Sequence, residues 1–385
     1  MSKPMRDFAL EVHFSKWEFV AKFNLTGSDA ENLTLGELLA FAGPETRAAF
    51  DSVSLAYTET WGAPALREEI ARTYDHIETR DVLCFAGAEE GIYAAMKVLL
   101  SPGDHVIVLT PNYQAAETLP LSVCEVTGIA LDARNNWALD VDRLRDAIRP
   151  NTKMVSINFP NNPTGRIIDR AQFDAIVELC RRNGIWLFSD EVYRLIERDP
   201  RMRLPQAVDA YERGISLNVM SKAYGLPGLR IGWLACRDRE LLGRFERYKH
   251  YLSICNSAPS EFLAIIALQA RERILARNRA IIDSNLILLG AFFQEYSNLF
   301  DWRVPDGGCV GFVRYKGAQG VQAFTDRLVN ETGVLLLPAS VYRSELNDVP
   351  TNYFRIGYGH SYLPTALAVF REWLRSAGRY SQPAL

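Results

Sequence analysis

The chain has 385 residues, 48% of them hydrophobic, and a formal net charge of -3. That is enough apolar material for a large packed core, and it excludes an intrinsically disordered chain. The arginines are scattered rather than clustered, so no nucleic-acid partner is expected.

In chain order, Met1 to Asp7 is polar and lacks the apolar run of a leader peptide, which predicts a cytoplasmic protein. Gly87-Ala88-Glu89-Glu90-Gly91 precedes Ile92, Ala95, Met96 and Leu99 at helical spacing. His105 to Leu109 reads as a strand broken by Thr110-Pro111-Asn112-Tyr113. Lys153 to Asn158 is a second strand, closed by the turn residues Pro160 to Gly165. Between Arg170 and Asn183, Phe173, Ile176, Val177 and Cys180 recur at helical spacing, with Gly184 as the stop. Ile185 to Phe188 and Ile215 to Val219 are a third and a fourth strand.

Strands of near-continuous apolar character alternating with helices predict an α/β fold, its mainly parallel sheet covered on both faces. Ligands of such sheets bind beyond the carboxyl ends of the strands, where the polar motifs fall. From about residue 280 the pattern changes to helix with short strands of its own, Gly311 to Tyr315 and Val334 to Leu337. This predicts a large domain over residues 46–280 and a smaller α+β domain from residues 1–45 and 281–385. The apolar stretch Ile281 to Phe293 is interrupted by Asp283 and Asn285 and is shorter than the roughly 20 residues that span a bilayer, so no membrane partner is expected.

Several chemistries have no sequence support. There is no GxGxxG after a strand and no GxxxxGK[ST]. The five histidines are dispersed without metal-ligand spacing, and the six cysteines contain no CxxC pair, so no metal is expected.

The positive signal is an ordered set at strand ends. Asn161-Asn162-Pro163-Thr164-Gly165 closes one strand and Ser189-Asp190-Glu191-Val192-Tyr193 the next. Ser221-Lys222-Ala223-Tyr224-Gly225 then precedes Pro227-Gly228-Leu229-Arg230. Singly, these read as a turn, a helix cap and a surface lysine. In this order they resemble the class I/II aminotransferases, the fold-type-I enzymes that use pyridoxal 5'-phosphate (PLP), from about Leu55 to Gly357. The resemblance implies a three-layer PLP-transferase fold with Lys222 carrying the cofactor as a Schiff base.

Each matched residue meets one demand of that cofactor. A desolvated lysine can form an imine and later act as a base. Asp190 matches the carboxylate that keeps the pyridine nitrogen protonated. Asn162 and Tyr193 match donors to the ring oxygen, and Tyr113 the aromatic stacked on the ring. The phosphate falls to the amides at Gly87, Ala88 and Glu89, to Ser221 and to Arg230. Here the Glu89 carboxylate is expected to point away, since it would repel phosphate. Val219 stands where the family commonly has a Ser or Thr, so one hydroxyl contact worth about 1 kcal/mol is missing. Arg355 matches the arginine that grips the substrate carboxylate, beside Asn162. Tyr57 matches a tyrosine that reaches the phosphate of a neighbouring subunit, which implies a homodimer with shared active sites.

The implied reaction moves an amino group between an α-amino acid and a 2-keto acid. The stretch Tyr251 to Pro259 lacks the arginine by which some dicarboxylate-specific members read a side chain. Glu31 to Leu38 and Lys222 to Arg230 are also similar to the capreomycidine synthase subgroup, which implies β-elimination or replacement as the alternative. A non-catalytic PLP-binding sensor is a more remote one, because no helix-turn-helix pattern precedes Tyr57.

Overall fold

The computed structural model describes residues 5–379; residues 1–4 of the polar N-terminal stretch lie outside it. Its centre is a seven-stranded sheet in the spatial order Val82–Phe85, Gly232–Cys236, Gly214–Val219, Trp186–Asp190, Thr152–Asn158, His105–Thr110, Glu125–Ala130. The last five are parallel, and Gly232–Cys236 runs antiparallel to both its neighbours. The four strands expected from the sequence are all present. Glu125–Ala130 was not read as a strand because its side chains are mostly half-exposed, which gives an edge strand little apolar signature.

Successive side chains of a strand feed opposite faces. Val106 and Val108 enter one apolar cluster, with Ile92 and Met96 of the helix Ala88–Leu99. Ile107 and Leu109 enter the other, with Phe173, Ile176 and Cys180 of the helix Arg170–Asn183. The sheet is thus the middle of three layers, as an apolar parallel sheet requires. The second helix starts in a reciprocal Asp169–Gln172 capping box and ends on Gly184 at φ +62°, a conformation glycine adopts without a Cβ clash.

A four-stranded antiparallel sheet forms from Leu337–Pro338, Tyr353–Gly357, Val310–Tyr315 and Phe300–Asp301. The expected strand Val334 to Leu337 divides instead: Val334–Leu335 pairs in parallel with Phe23–Asn24, and Leu337–Pro338 joins the four-stranded sheet. The helix Arg271–Glu295 passes continuously through residues 280 and 281.

Close backbone packing holds one end of the large sheet. A Cβ on Gly232 would lie 2.6 Å from the Gly87 carbonyl carbon and 2.7 Å from the Ala88 nitrogen, neither of which can swing aside. Gly232→Ala should therefore destabilise the apoprotein by about 2 kcal/mol, in the range for overpacking. A thermal melt unchanged from wild type would contradict the close approach.

Candidate active site

The parallel register sets the floor of the site. Asn158 and Asp190 are register partners at the ends of adjacent strands, and Lys222 follows three residues beyond the end of Gly214–Val219. Asn158 braces its neighbours: its Nδ2 donates to the Asp190 carbonyl at 3.0 Å, and its Oδ1 accepts from the Asn162 amide at 2.9 Å. Beyond these ends lies a cavity of about 370 Å³, whose wall includes Asp190, Tyr193, Asn162, Tyr113 and Lys222.

Lys222 Nζ donates to Ser28 Oγ at 2.8 Å, and burial pushes its ammonium below the ordinary lysine value. Asp190 Oδ1 accepts from the Val192 amide at 3.2 Å. Burial raises its carboxyl to about 6, against the opposing pull of that amide and of Lys222. Tyr193 is 2% exposed and its hydroxyl has no hydrogen-bond partner. Such a buried orphan is costly unless a ligand satisfies it. Asn162 Oδ1 accepts from Tyr342 Oη at 3.0 Å and Arg355 Nη1 at 3.1 Å, which leaves its amide hydrogens free to donate.

One end of the cavity suits an anion. Gly87, at φ +96°, starts the helix Ala88–Leu99 without any side-chain cap, and Ala88 and Glu89 lie on the wall. Arg230 crosses this turn so closely that a Cβ on Gly87 would meet its Nη2 at 2.4 Å. Among the described residues no carboxylate pairs with Arg230. Ser221 shares the wall, as does Val219, which offers no hydroxyl.

Three expected site residues stand off the wall: Arg355, Tyr57 and Gly87, the last starting the helix immediately before Ala88. Arg355 is 0% exposed, behind Asn162. It donates to Asn162, to Tyr342 Oη at 2.7 Å and to the Thr26 carbonyl at 2.5 Å, while its Nε has no partner. Tyr57 is 87% exposed and does not line its own chain's cavity.

Glu89 departs from expectation. Its side chain faces the cavity beside Tyr113 instead of pointing away. Burial raises it to about 7, so near neutral pH it is protonated about half the time and the repulsion that would turn it outward is weakened.

The sequence reading also missed the N-terminal contribution. Glu11 and Phe14 on the helix Ala9–Trp17, with Glu18 at its C-terminal cap, line the cavity, as do Ser28 and Asp29. Their signal was available: 11, 14 and 18 share one helical face. Phe8 places that helix by an edge contact with Tyr113, ring centroids 5.1 Å apart.

A desolvated lysine and carboxylate at adjacent strand ends, an orphan tyrosine hydroxyl and an uncapped helix N-terminus under an arginine are the groups that a fold-type-I PLP enzyme requires. The family model for aminotransferase class I and II matches residues 29–363, and the chain belongs to that family. It is 29% identical over 317 residues to the arginine–pyruvate transaminase of Pseudomonas aeruginosa, 78% of each chain. It is 27% identical over 343 residues to the capreomycidine synthase of Streptomyces vinaceus, 88% of this chain and 86% of that one. A PLP-dependent aminotransferase from Streptococcus suis superposes with a TM-score of 0.91 at 31% identity, covering 99% of this chain and 100% of that one. The enzyme thus uses pyridoxal 5'-phosphate to move an amino group between an amino acid and a 2-keto acid, and the unsatisfied groups on the wall fit that cofactor.

The raised carboxyl of Glu89 gives a pH prediction. Its folded value, about 7, lies above the ordinary 4.5, so the folded state holds a proton that the unfolded state has lost. Stability from this group therefore falls as pH rises from 4.5 to about 7. Apoprotein Glu89→Gln should match wild type near the acid end of that window and melt higher above it. Equal melting at both ends would refute the burial of this carboxyl.

Proposed function

We propose that PLP sits in the cavity with its phosphate on the Ala88 and Glu89 amides, Ser221 and Arg230. Tyr113 would stack on its ring, Asp190 would pair with its ring nitrogen, and Asn162 and Tyr193 would donate to its ring oxygen. The observation that carries this reading is the buried, unpartnered Tyr193 hydroxyl facing the same space as Lys222 and Asp190. Bound there, the cofactor supplies a sink for negative charge at the substrate α-carbon. Lys222, with its proton affinity lowered by burial, takes the α-proton and returns it. Asp190 holds a proton on the ring nitrogen. Arg355 binds the substrate carboxylate. Among the described residues it has no acidic partner, and a buried guanidinium without one is costly until an anion arrives. Lys222→Ala should abolish the visible absorbance of lysine-bound PLP in reconstituted protein; a retained band would remove Lys222 from this role.

The assembly is read as a homodimer. Tyr57 at 87%, Leu55 at 85% and Tyr251 at 89% exposure leave large apolar side chains in solvent. Thr58 Oγ1 joins the first two to the Tyr251 loop through the Asn256 carbonyl at 2.8 Å. Tyr57 would then reach the partner's phosphate site. The two-domain division, 46–280 against 1–45 and 281–385, is retained as a proposal, with Arg271–Glu295 shared across it. A cytoplasmic location is likewise proposed, supported by six free cysteines. No helix among the described residues is long and apolar enough to cross a membrane.

The amino donor is read as an amino acid with a cationic side chain. The wall carries Glu11, Glu18, Asp29, Glu89 and Asp190 against Lys222 and Arg230. Asp29 is engaged by His360 at 3.2 Å, Asp190 is assigned to the cofactor, and Glu89 lies at the phosphate end beside Tyr113, which leaves Glu11 and Glu18 for the substrate. An arginine transaminase among the similar proteins supports the same reading. In half-reactions with single amino acids, arginine should react faster than norleucine or glutamate. The Glu11→Gln, Glu18→Gln double variant should raise KM for arginine about tenfold, and that for norleucine little, as two partly screened charges allow. Glutamate as the best donor would sink this reading. The likeness to capreomycidine synthase keeps elimination as the alternative, which would release ammonia or a cyclised product in the same assay.

A further inference from the structure

Behind the phosphate end of the cavity lies a buried cation that the reaction does not use. Lys249, the last residue of the helix Arg239–Lys249, is 0% exposed. Its Nζ donates to the carbonyls of Thr60 at 2.7 Å and Cys84 at 2.8 Å, and to Asn256 Oδ1 at 2.6 Å. Three acceptors use all three hydrogens of an ammonium, and a neutral amine could serve only two. Among the described residues no carboxylate lies within ion-pair distance of it. Burying a charge without an anion is expensive, and a methionine would fill the same space without that cost. The position of the charge therefore needs a reason.

Its neighbours supply one. Asn256 Nδ2 donates to the Phe85 carbonyl at 2.8 Å, so lysine and asparagine together hold the Cys84 and Phe85 carbonyls. Glu90 completes the tie: Oε2 accepts from the Ala86 amide at 2.5 Å and from Ser253 Oγ at 3.1 Å, and Oε1 from the Ser253 amide at 2.9 Å. The Phe85 carbonyl also accepts from the Gly87 amide at 2.8 Å, so the carbonyls held by Lys249 and Asn256 belong to the turn that leads into Ala88 and Glu89 on the wall. The same lysine holds the Thr60 carbonyl, and Asn256 accepts from Thr58, so the segment that carries Tyr57 is tied to the same point.

We propose that Lys249 and Asn256 are positioning residues for the cofactor phosphate, holding the 84–87 turn in its anion-binding shape and fixing it to the segment that presents Tyr57. The proposal rests on the reading that the phosphate sits on Ala88, Glu89 and Arg230. Apoprotein titrated with PLP and with pyridoxal, which lacks the phosphate, separates the two ideas. Wild type should bind PLP far more tightly than pyridoxal; if it does not, the phosphate-site reading itself fails. Given that preference, Lys249→Met should weaken PLP about tenfold while leaving pyridoxal within about twofold, as loss of one charge-assisted positioning contact implies. Asn256→Ala, which keeps the lysine and its two carbonyl contacts, should shift the ratio in the same direction by less and serves alone if Lys249→Met does not fold. An unchanged PLP-to-pyridoxal ratio in the folded variants, or equal weakening of both ligands, would overturn the proposal in favour of a purely structural lysine.

Discussion

The site depends on the parallel register among Thr152–Asn158, Trp186–Asp190 and Gly214–Val219. Parallel strands end at the same edge of a sheet, so residues far apart in sequence emerge side by side. Register pairs Asn158 with Asp190 and Asp190 with Leu217. A slip of one residue in Trp186–Asp190 would turn Asp190 to the opposite face. The alternation that feeds Trp186 and Phe188 into one core and Leu187 into the other guards against such a slip, because every apolar side chain on the strand would change layers with it. Core packing and chemistry are thus fixed by one constraint.

On that frame the enzyme keeps several polar groups short of partners: the Tyr193 hydroxyl, the Arg355 Nε, and the free helix amides after Gly87. In a protein with no ligand to bind, each would be a defect. On the proposed reading, the Tyr193 hydroxyl and the helix amides serve the cofactor, and Arg355, one layer back behind Asn162, serves the substrate carboxylate. The raised carboxyls of Asp190 and Glu89 belong to the same economy of desolvation, as does the lowered ammonium of Lys222. Ligand binding should therefore stabilise the fold as well as enable the reaction.

Much of this was legible in the chain. The strands, the helix Arg170–Asn183 and the motif order all carry local signals, namely apolar runs, a capping box and turn residues. What stayed hidden depends on tertiary placement. Glu89 was expected to turn away because a free carboxylate would repel phosphate, and only the observed burial explains how it can face inward. Ser28 reaches Lys222 across 194 positions of sequence, and no local pattern reports such a contact. The edge strand Glu125–Ala130 lacked the apolar run that marked its neighbours, because one side of it faces solvent. Arg355 was recognisable by its setting in Phe354-Arg355-Ile356, but its place behind Asn162 follows from pairing with Phe312 and Leu337 in the small sheet.

The division of labour between the two ends of the cavity follows from stiffness. On the proposed reading, the phosphate end combines the Ala88 and Glu89 amides with Ser221 and Arg230, packed where a Cβ on Gly87 or Gly232 would collide and backed by the buried network around Lys249, so it tolerates little change. The substrate end is closed by the helix Ala9–Trp17, whose Glu11 and Glu18 are exposed and whose hold on the large domain runs through Phe8 against Tyr113 and the Gln114 side chain, which accepts from the Ala9 amide at 2.9 Å. Side chains on such a surface helix can change with little cost to the core. On that reading, cofactor chemistry resides in the rigid sheet ends, while substrate choice would reside on a short segment that can vary without disturbing them. That arrangement accounts for a family motif set that is easy to read, while the proposed donor preference rests on residues that come together only when the N-terminal helix is seen in place.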